Sequence, residues 1–101
     1  MSFSIPKFHE TFLPILKVLE NGEELSYQDL KVKVRDAFYS HLPADLLSQK
    51  TSTGHLLIGS RIGWAKSYLK EGKFIEQPRR AFVKITPKGL VTLKAGHLTL
   101  S

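Results

Sequence analysis

SRIGWAKSYLKEGKFIEQPRRAFVKITPKG forms residues 60–89. Partway along this stretch the spacing of the apolar side chains changes, and this change is the main basis for predicting the fold. The first part of the stretch has the three- and four-residue spacing of a helix face. We predict that this helix has Ser60 as its N-cap and ends at Glu71, with Gly72 as a left-handed stop. The side chains expected to face the core are Ile62, Ala65 and Leu69.

After this helix the apolar residues alternate, which predicts the two strands of a β-hairpin. Phe74–Ile75 forms the first strand. In the second strand Val83 and Ile85 point inward, because alternate side chains of a strand lie on the same face. Phe82 and Lys84 then point outward.

Two helices precede this stretch, so the helix that ends at Glu71 is called the third helix. The first helix ends at Asn21-Gly22, and Pro14 indicates that it either starts late or bends. Its apolar face comprises Phe8, Phe12, Ile15, Leu16 and Leu19. The second helix begins at a capping box formed by Ser26 and Asp29. Its predicted inner face comprises Leu30, Val34, Ala37 and Phe38.

Three shorter segments complete the chain. Pro43–Gln49 predicts one or two helical turns with Pro43 at the first helical position, and Thr51–Gly54 is a loop by composition. Thr86 is predicted to cap a last helix that has Pro87 at its first position.

The predicted order of elements is helix, helix, short turn, helix, β-hairpin, helix. We therefore predict an α+β, mostly helical fold over residues 1–101, which form a single domain. The arrangement is typical of a winged helix-turn-helix, with a three-helix core, a two-stranded β-hairpin wing and a C-terminal helix. In such a fold the third helix can enter the major groove of DNA while the wing reaches neighbouring phosphates.

The charge is concentrated in the second part of the chain. The net charge is +6 overall, but residues 1–60 hold six Lys/Arg against seven Asp/Glu, whereas residues 61–101 hold nine Lys/Arg against two Glu. The turn between the strands carries Arg79 and Arg80 and no acid. Arginine pairs with phosphate oxygens through several donors and stays charged, so we predict that both bind phosphates. The alternative is a solvated, solubilising surface.

The predicted DNA-binding residues lie on the third helix and on the hairpin that follows it. They are Arg61, Lys66, Ser67, Lys70, Lys73, Arg79, Arg80, Phe82 and Lys84. Trp64 lies on the helical wheel between the core and the groove. We favour a scaffold role in which it packs beside the second helix, and a contact with DNA remains the alternative.

Other chemistry has little support in the sequence. The absence of cysteine excludes a disulfide scaffold and thiolate metal sites, and fits a reducing cytoplasm, where we expect the protein. No metal-ligand spacing joins His9, His41, His55 and His97. We therefore expect no metal, no cofactor and no catalytic residue. No apolar run approaches the roughly 20 residues that a membrane span needs.

The motifs of residues 60–89 resemble the N-terminal domain of Mrr-type, modification-dependent restriction endonucleases. The resemblance rests on Arg61, Gly63-Trp64-Ala65, Gly72, Arg80 and Thr86-Pro87-Lys88-Gly89, and on the opening helix FLPILKVLENG, residues 12–22. The chain departs from that family at Ala81, where a wing glycine is frequent. The resemblance implies a domain that targets duplex DNA for a C-terminal nuclease domain, whose metal site these 101 residues do not contain.

We therefore expect a DNA-binding domain that is not an enzyme as it stands. Its expected partners are double-stranded DNA, with methylated DNA as one target, and either a C-terminal nuclease domain or a second copy of the chain. Two alternatives stay open: a stand-alone transcriptional regulator that uses the same surface, and a protein-interaction winged helix that binds an acidic partner.

Overall fold

The computed structural model describes residues 5–96, which contain five α-helices and one small antiparallel sheet. The helices are α1 (Phe12–Val18), α2 (Tyr27–Phe38), α3 (Ala44–Leu47), α4 (Leu57–Glu71) and α5 (Pro87–Ala95). The strands are β1 (Leu25–Ser26), β2 (Ile75–Glu76) and β3 (Phe82–Ile85). The predicted α+β class is confirmed. Over the described range, no helix combines the length and the apolar character needed to cross a membrane.

The first helix starts late, which was one of the two outcomes that Pro14 predicted. A 3-10 turn over Phe8–Thr11 leads into α1, so Pro14 falls in the first turn of that helix. A proline is tolerated there because the first amides of a helix have no intrahelical partner to lose. The chain leaves α1 through Gly22, whose φ of 82° is left-handed.

α2 begins at the predicted cap, because Ser26 Oγ accepts a hydrogen bond of 3.1 Å from the amide of Asp29. Leu30 and Val34 are buried as predicted. The inner face was also predicted to include Ala37 and Phe38, but both are exposed, so that prediction is wrong for the last turn. Tyr39, just beyond the helix, packs against the core instead.

The segment between α2 and α4 closely follows its prediction. Pro43 is the N-cap of α3 rather than its first helical residue, a difference of one position that lies within the usual uncertainty of helix ends. Thr51–Gly54 is a loop, in which Gly54 has a φ of 86°. An isolated β-bridge between Lys50 and Leu56 closes this loop.

α4 is the predicted third helix, but it begins one turn early, with Leu56 rather than Ser60 as the N-cap. The amide of Ser60 donates to the carbonyl of Leu56 at 3.0 Å, which places Ser60 inside the helix. The added turn brings Ile58 into the core. Burying an isoleucine stabilises by about 1.5–3 kcal/mol, more than the typical ~1 kcal/mol of a side-chain cap, so the earlier start is favoured.

The turn that follows α4, residues 72–74, differs from its prediction and is called the α4–β2 turn below. Gly72 has a φ of −79°, and the left-handed residue is Lys73, with a φ of 68°. The prediction of a left-handed Gly72 is therefore wrong. A Cβ on Gly72 would lie 2.6 Å from the ring of Phe74, so glycine is needed here for close packing.

The sheet has three strands in the order β1-β3-β2, whereas the sequence predicted only the two-stranded hairpin. Leu25 pairs with Val83 across β1 and β3, and Ile75 pairs with Ile85 across β2 and β3. β1 was missed because it has only two residues, which is too short for an alternating pattern. Val83 and Ile85 are buried, as predicted.

The start of α5 is tied to the α4–β2 turn. Thr86 Oγ1 accepts a hydrogen bond of 3.1 Å from the amide of Gly89, which confirms the predicted cap. The same hydroxyl lies 2.7 Å from the carbonyl of Lys73 and 3.0 Å from that of Phe74, to either of which it can donate. A Cβ on Gly89 would overlap the Phe74 carbonyl. Thr86 and Gly89 thus fix α5 against the end of α4.

The core lies between α1, α2, α4 and the inner face of the sheet. Each of these elements supplies side chains that are at most 9% exposed. They include Ile15, Leu16, Leu30, Val34, Ile58, Ile62, Ala65, Leu69, Phe74, Ile75, Val83 and Ile85. This core fixes α4 and the hairpin relative to each other, and so positions the surface described next.

Candidate nucleic-acid interface

α4 turns its apolar face inward and leaves a polar and aromatic face exposed. Ile62, Ala65 and Leu69 are buried, as predicted. Trp64 is 70% exposed, which corrects the prediction that it packs beside the second helix. The contact with α2 is made by Gly63, whose Cβ, if it had one, would overlap the hydroxyl of Tyr27 on α2. The hydroxyl end of Tyr27 occupies this position, and the neighbouring indole of Trp64 faces outward.

Two other predicted residues of α4 lie on its exposed side. Ser67 donates a hydrogen bond of 3.2 Å to the carbonyl of Gly63, one turn earlier in the same helix. Its oxygen therefore remains able to accept a second bond. Lys70 Nζ donates to Gln77 Oε1 at 2.8 Å, which links the last turn of α4 to the hairpin.

The two arginines of the hairpin turn, residues 77–81, differ in their contacts within the described part of the chain. Arg79 Nε lies 3.5 Å from Glu24 Oε1, so an acid outside the turn partly balances its charge. The guanidinium carbon of Arg79 lies 3.8 Å from the ring centroid of Phe82, and Phe82 is consequently half-buried rather than fully outward. Among the described residues Arg80 makes no ion pair.

Ala81, next to these arginines, has a φ of 66°. This left-handed conformation costs a residue with a side chain roughly 1–2 kcal/mol relative to glycine. It gives a physical reason for the glycine that is frequent at this position in the family that the sequence resembles.

Four of the predicted cations lie around one cleft between the end of α4 and the hairpin. This hairpin cleft has a volume of about 460 Å³. Its lining residues are Lys70, Lys73, Ile75, Glu76, Gln77, Arg79 and Arg80. Glu76 is the single acid of that lining, so the cleft has a surplus of positive charge at neutral pH and would favour an anion.

Two predicted residues, Arg61 and Lys84, are not part of the lining of this cleft. Lys84 lies opposite Glu76 in the pairing of β2 and β3, so its charge faces a neighbouring acid on the sheet. Arg61 Nη1 donates to the carbonyl of Pro6 at 3.2 Å. Arg61 therefore ties the N-terminal segment to α4, and at least one of its donors is already used.

Lys66 lies beside two residues that the sequence analysis missed. Its Nζ is 4.1 Å from the ring centroid of Tyr27, and Lys31 Nζ is 4.5 Å from the same centroid. Burial, and then the charges of Lys70 and Lys31, lower the pKa of Lys66, while burial raises the pKa of Tyr27. Tyr27 and Lys31 are four residues apart, a spacing that places both on one face of α2, but they belong to the part of the chain without a net positive charge.

A second cleft, of about 610 Å³, separates α2 from the first half of α4. Its edges include the exposed side chains of Val32, Leu56 and Trp64. Basic groups at the same cleft are Lys31, Arg35 and His55. It thus combines apolar surface with positive charge.

Residues 5–96 contain no group of three or more His, Asp or Glu side chains close enough together to hold a metal ion. His97, the last histidine considered in the sequence, lies outside the described residues.

These observations define a small α+β fold with a basic face at the end of α4 and the β2–β3 hairpin. The family model described as the Mrr N-terminal domain matches residues 8–95, which is most of the chain. The chain belongs to this family, and the resemblance seen in the sequence is confirmed. The family associates it with Mrr-type restriction systems. No curated protein and no solved structure matches the chain.

Most of the motif residues behind the resemblance have a structural role in this chain. Gly63, Gly72 and Gly89 each allow a close approach that a Cβ would prevent. Ala65 is fully buried, and Thr86 caps α5. The two motif residues without such a role in the described structure are Trp64, which is exposed, and Arg80, which has no ion pair. They are the motif residues best placed to contact a ligand.

Proposed function

We propose that this chain binds duplex DNA as a winged helix, with α4 in the major groove and the β2–β3 hairpin as a wing on the neighbouring phosphates. The observation that carries the proposal is the hairpin cleft, where Lys70 of α4 and Lys73, Arg79 and Arg80 of the following segment converge. A helix and a basic hairpin side by side suit the groove and the adjacent backbone of one duplex.

The wing is suited to binding phosphate because neither of its arginines is held by a strong ion pair within the described residues. Stacking on Phe82 fixes the fork of Arg79. Its pair with Glu24 is exposed, and exposed pairs of this kind are worth only about 0–1 kcal/mol. A phosphate can therefore replace Glu24 at little cost. Arg80 needs no exchange, because it has no ion pair among the described residues.

The exposed side of α4 supplies the groups that would meet base edges. Ser67 Oγ can accept a hydrogen bond from a base, because its own proton is donated to the Gly63 carbonyl. The indole of Trp64 can contact the methyl group of thymine. Lys70 stands between this side and the hairpin cleft. In this arrangement phosphate contacts of the wing position the domain, while α4 determines which sequences are preferred.

Membership in the Mrr N-terminal domain family adds the biological setting to this proposal. The domain would select duplex DNA, with methylated DNA as one target, for a nuclease domain joined C-terminally, and would itself perform no catalysis. A free-standing transcriptional regulator would use the same surface. That alternative predicts a dimer on a palindromic site.

A second candidate function is supported by the cleft between α2 and α4. Its exposed apolar side chains Val32, Leu56 and Trp64, beside Lys31 and Arg35, are suited to an acidic and apolar segment of a partner protein. This protein-interaction hypothesis predicts that the chain has no measurable affinity for duplex DNA, even at low salt.

The deciding experiment is a titration of the chain against methylated and unmethylated duplexes of several sequences at a series of salt concentrations. If about four to six cations meet phosphates, the logarithm of the association constant should fall with the logarithm of salt with a slope of roughly −4 to −5. A slope near zero, or no binding at low salt, contradicts the proposal and favours the protein-interaction hypothesis.

A further inference from the structure

Tyr27 lies in contact with two ammonium groups from two different helices. Lys31 follows it by one turn in α2, and Lys66 comes from α4. With distances of 4.5 and 4.1 Å to the same ring centroid, the two nitrogen atoms are no more than about 9 Å apart. Both distances are within the roughly 6 Å at which an aromatic ring attracts a cation. One side chain thus orders two cations.

The ring itself is fixed by the elements on either side of it. Gly63 allows the Tyr27 hydroxyl to lie directly against α4, because a Cβ at this position would overlap that oxygen. The amide of Tyr27 donates to the carbonyl of Ala81 in the hairpin turn at 2.8 Å. Tyr27 is therefore anchored to α4 and to the hairpin, and the lysines that contact its ring share that position.

The positive charge of this cluster is not compensated by a salt bridge. The ion pairs of the described residues involve Lys17, Arg35 and Arg79, and neither Lys31 nor Lys66 is among them. Burial and the nearby Lys70 and Lys31 lower the pKa of Lys66. The charged cluster is therefore under repulsion, and a bound anion would relieve it.

We infer that Tyr27 fixes Lys31 and Lys66 as a second phosphate-binding pair, on the α2 side of α4, in addition to the hairpin cleft. The inference rests on the proposed binding of duplex DNA and extends the contact surface from the wing to the start of α2. Lys31 and Lys66 contact phosphates in this arrangement, whereas Tyr27 is a positioning residue that touches no DNA. Ordering the lysines before binding reduces the entropy lost when long side chains are immobilised.

The lysines are tested by Lys31→Gln and Lys66→Gln, each titrated with one duplex across a salt series. Each variant should make the log–log slope shallower by about 0.9, which corresponds to roughly eightfold weaker binding at 0.1 M salt. Lys33→Gln is the matched control, since it removes the same charge from an exposed position of α2, and the ammonium groups described over the Tyr27 ring are those of Lys31 and Lys66. Its slope should equal that of the wild type.

The positioning role is tested by two substitutions of Tyr27. Tyr27→Phe keeps the aromatic ring and should bind DNA like the wild type, whereas Tyr27→Leu keeps apolar volume but removes the attraction for cations. Tyr27→Leu should weaken binding several-fold. Lys66→Gln should then reduce DNA affinity clearly less in the Tyr27→Leu background than in the wild type, because Lys66 is no longer positioned by the ring. This double-mutant cycle measures the coupling between the two residues. Circular dichroism and thermal melts establish that each variant is folded.

The outcomes separate this inference from the proposed function. If the wild type does not bind duplex DNA, the proposed function fails. If it binds with a slope that Arg80→Ala makes shallower but Lys31→Gln and Lys66→Gln leave unchanged, only the inference is overturned. The inference is also overturned if Lys66→Gln reduces DNA affinity by the same factor in the wild type and in the Tyr27→Leu variant. Should Tyr27→Leu not fold, the two lysine variants still decide whether this pair binds phosphate.

Discussion

The α4–β2 turn and the hairpin turn lie within ten residues of each other, yet the structure holds them in different ways. In the first turn the Phe74 ring packs on Gly72, and the Phe74 carbonyl accepts hydrogen bonds from the amide and the hydroxyl of Thr86. In the second, Arg79 has only an exposed pair and Arg80 has none among the described residues. Motif residues therefore serve packing at one turn and are available for binding at the other.

The comparison predicts that changes near the α4–β2 turn affect stability, whereas changes in the hairpin turn affect binding. Where the two roles overlap at one residue, a variant should show both effects.

Leu69→Ala should destabilise the fold by roughly 2–5 kcal/mol, because Leu69 is fully buried and its removal leaves a cavity. Leu69 also belongs to the packed region through its carbonyl, which accepts from the amide of Phe74 at 2.9 Å. Thermal or denaturant unfolding measures the loss. Ser67→Ala on the exposed side of the same helix is the control and should cost little. Equal losses would mean that α4 is rotated relative to the orientation described.

Gly89→Ala should cost roughly 1–3 kcal/mol, the usual range for an overpacked site, because the new Cβ would overlap the Phe74 carbonyl. Val91→Ala, two positions later in α5 and 69% exposed, is the control and should change stability little. The Gly89 variant, measured at a temperature where it is folded, should retain the wild-type salt slope for DNA. A shallower slope in the folded variant would break the division between the two turns.

The two turns each contain one non-glycine residue with positive φ, which allows a matched pair of substitutions. Ala81→Gly and Lys73→Gly should each raise stability by about 0.5–1 kcal/mol, since relief of the left-handed strain exceeds the added entropy of the unfolded chain. Ala81→Gly should leave the DNA salt slope unchanged, whereas Lys73→Gly should make it shallower by about 0.9, because Lys73 lines the hairpin cleft. If Lys73→Gly and Ala81→Gly had the same salt slope, Lys73 would not belong to the DNA interface.

Local features of this fold could be predicted from the sequence. The caps at Ser26 and Thr86 depend on a side chain and an amide three residues apart, and both form as predicted. Periodicity alone predicts that Ile62, Ala65 and Leu69 of α4 are buried, as they are in the structure. It also predicts the buried Val83 and Ile85 of β3, but it misses Ile58 in the added first turn of α4. In each case the residues that determine the feature are close in sequence.

Features that depend on distant residues could not be predicted in this way. Glu24 lies close to Arg79 because β1 pairs with β3. β1 is too short to be recognised from the sequence. Position 72 has no room for a Cβ because of the Phe74 ring, and position 63 has none because of the Tyr27 hydroxyl. The exposure of Trp64 likewise depends on how α4 packs against the rest of the fold, which the helical wheel does not give. The predicted roles of the basic residues are not decided by their positions and remain predictions for the titrations.

If the hairpin is a phosphate-binding wing, the double variant Arg79→Ala/Arg80→Ala should lose phosphate contacts. Its affinity should fall by a similar factor for every duplex, because phosphate contacts carry no direct base information. Its stability should change little, since both side chains are exposed. Lys17→Ala/Lys33→Ala is the matched control and removes two exposed charges from α1 and α2.

The measurement is the salt slope of the wild type, the wing variant and the control on the same set of duplexes. The account predicts that the wing variant loses roughly 2 units of slope, keeps the wild-type order of preference among sequences, and differs from the control in both affinity and slope. A wing variant that binds like the wild type at every salt concentration would contradict the account, and would leave Arg79 and Arg80 as a solvated turn.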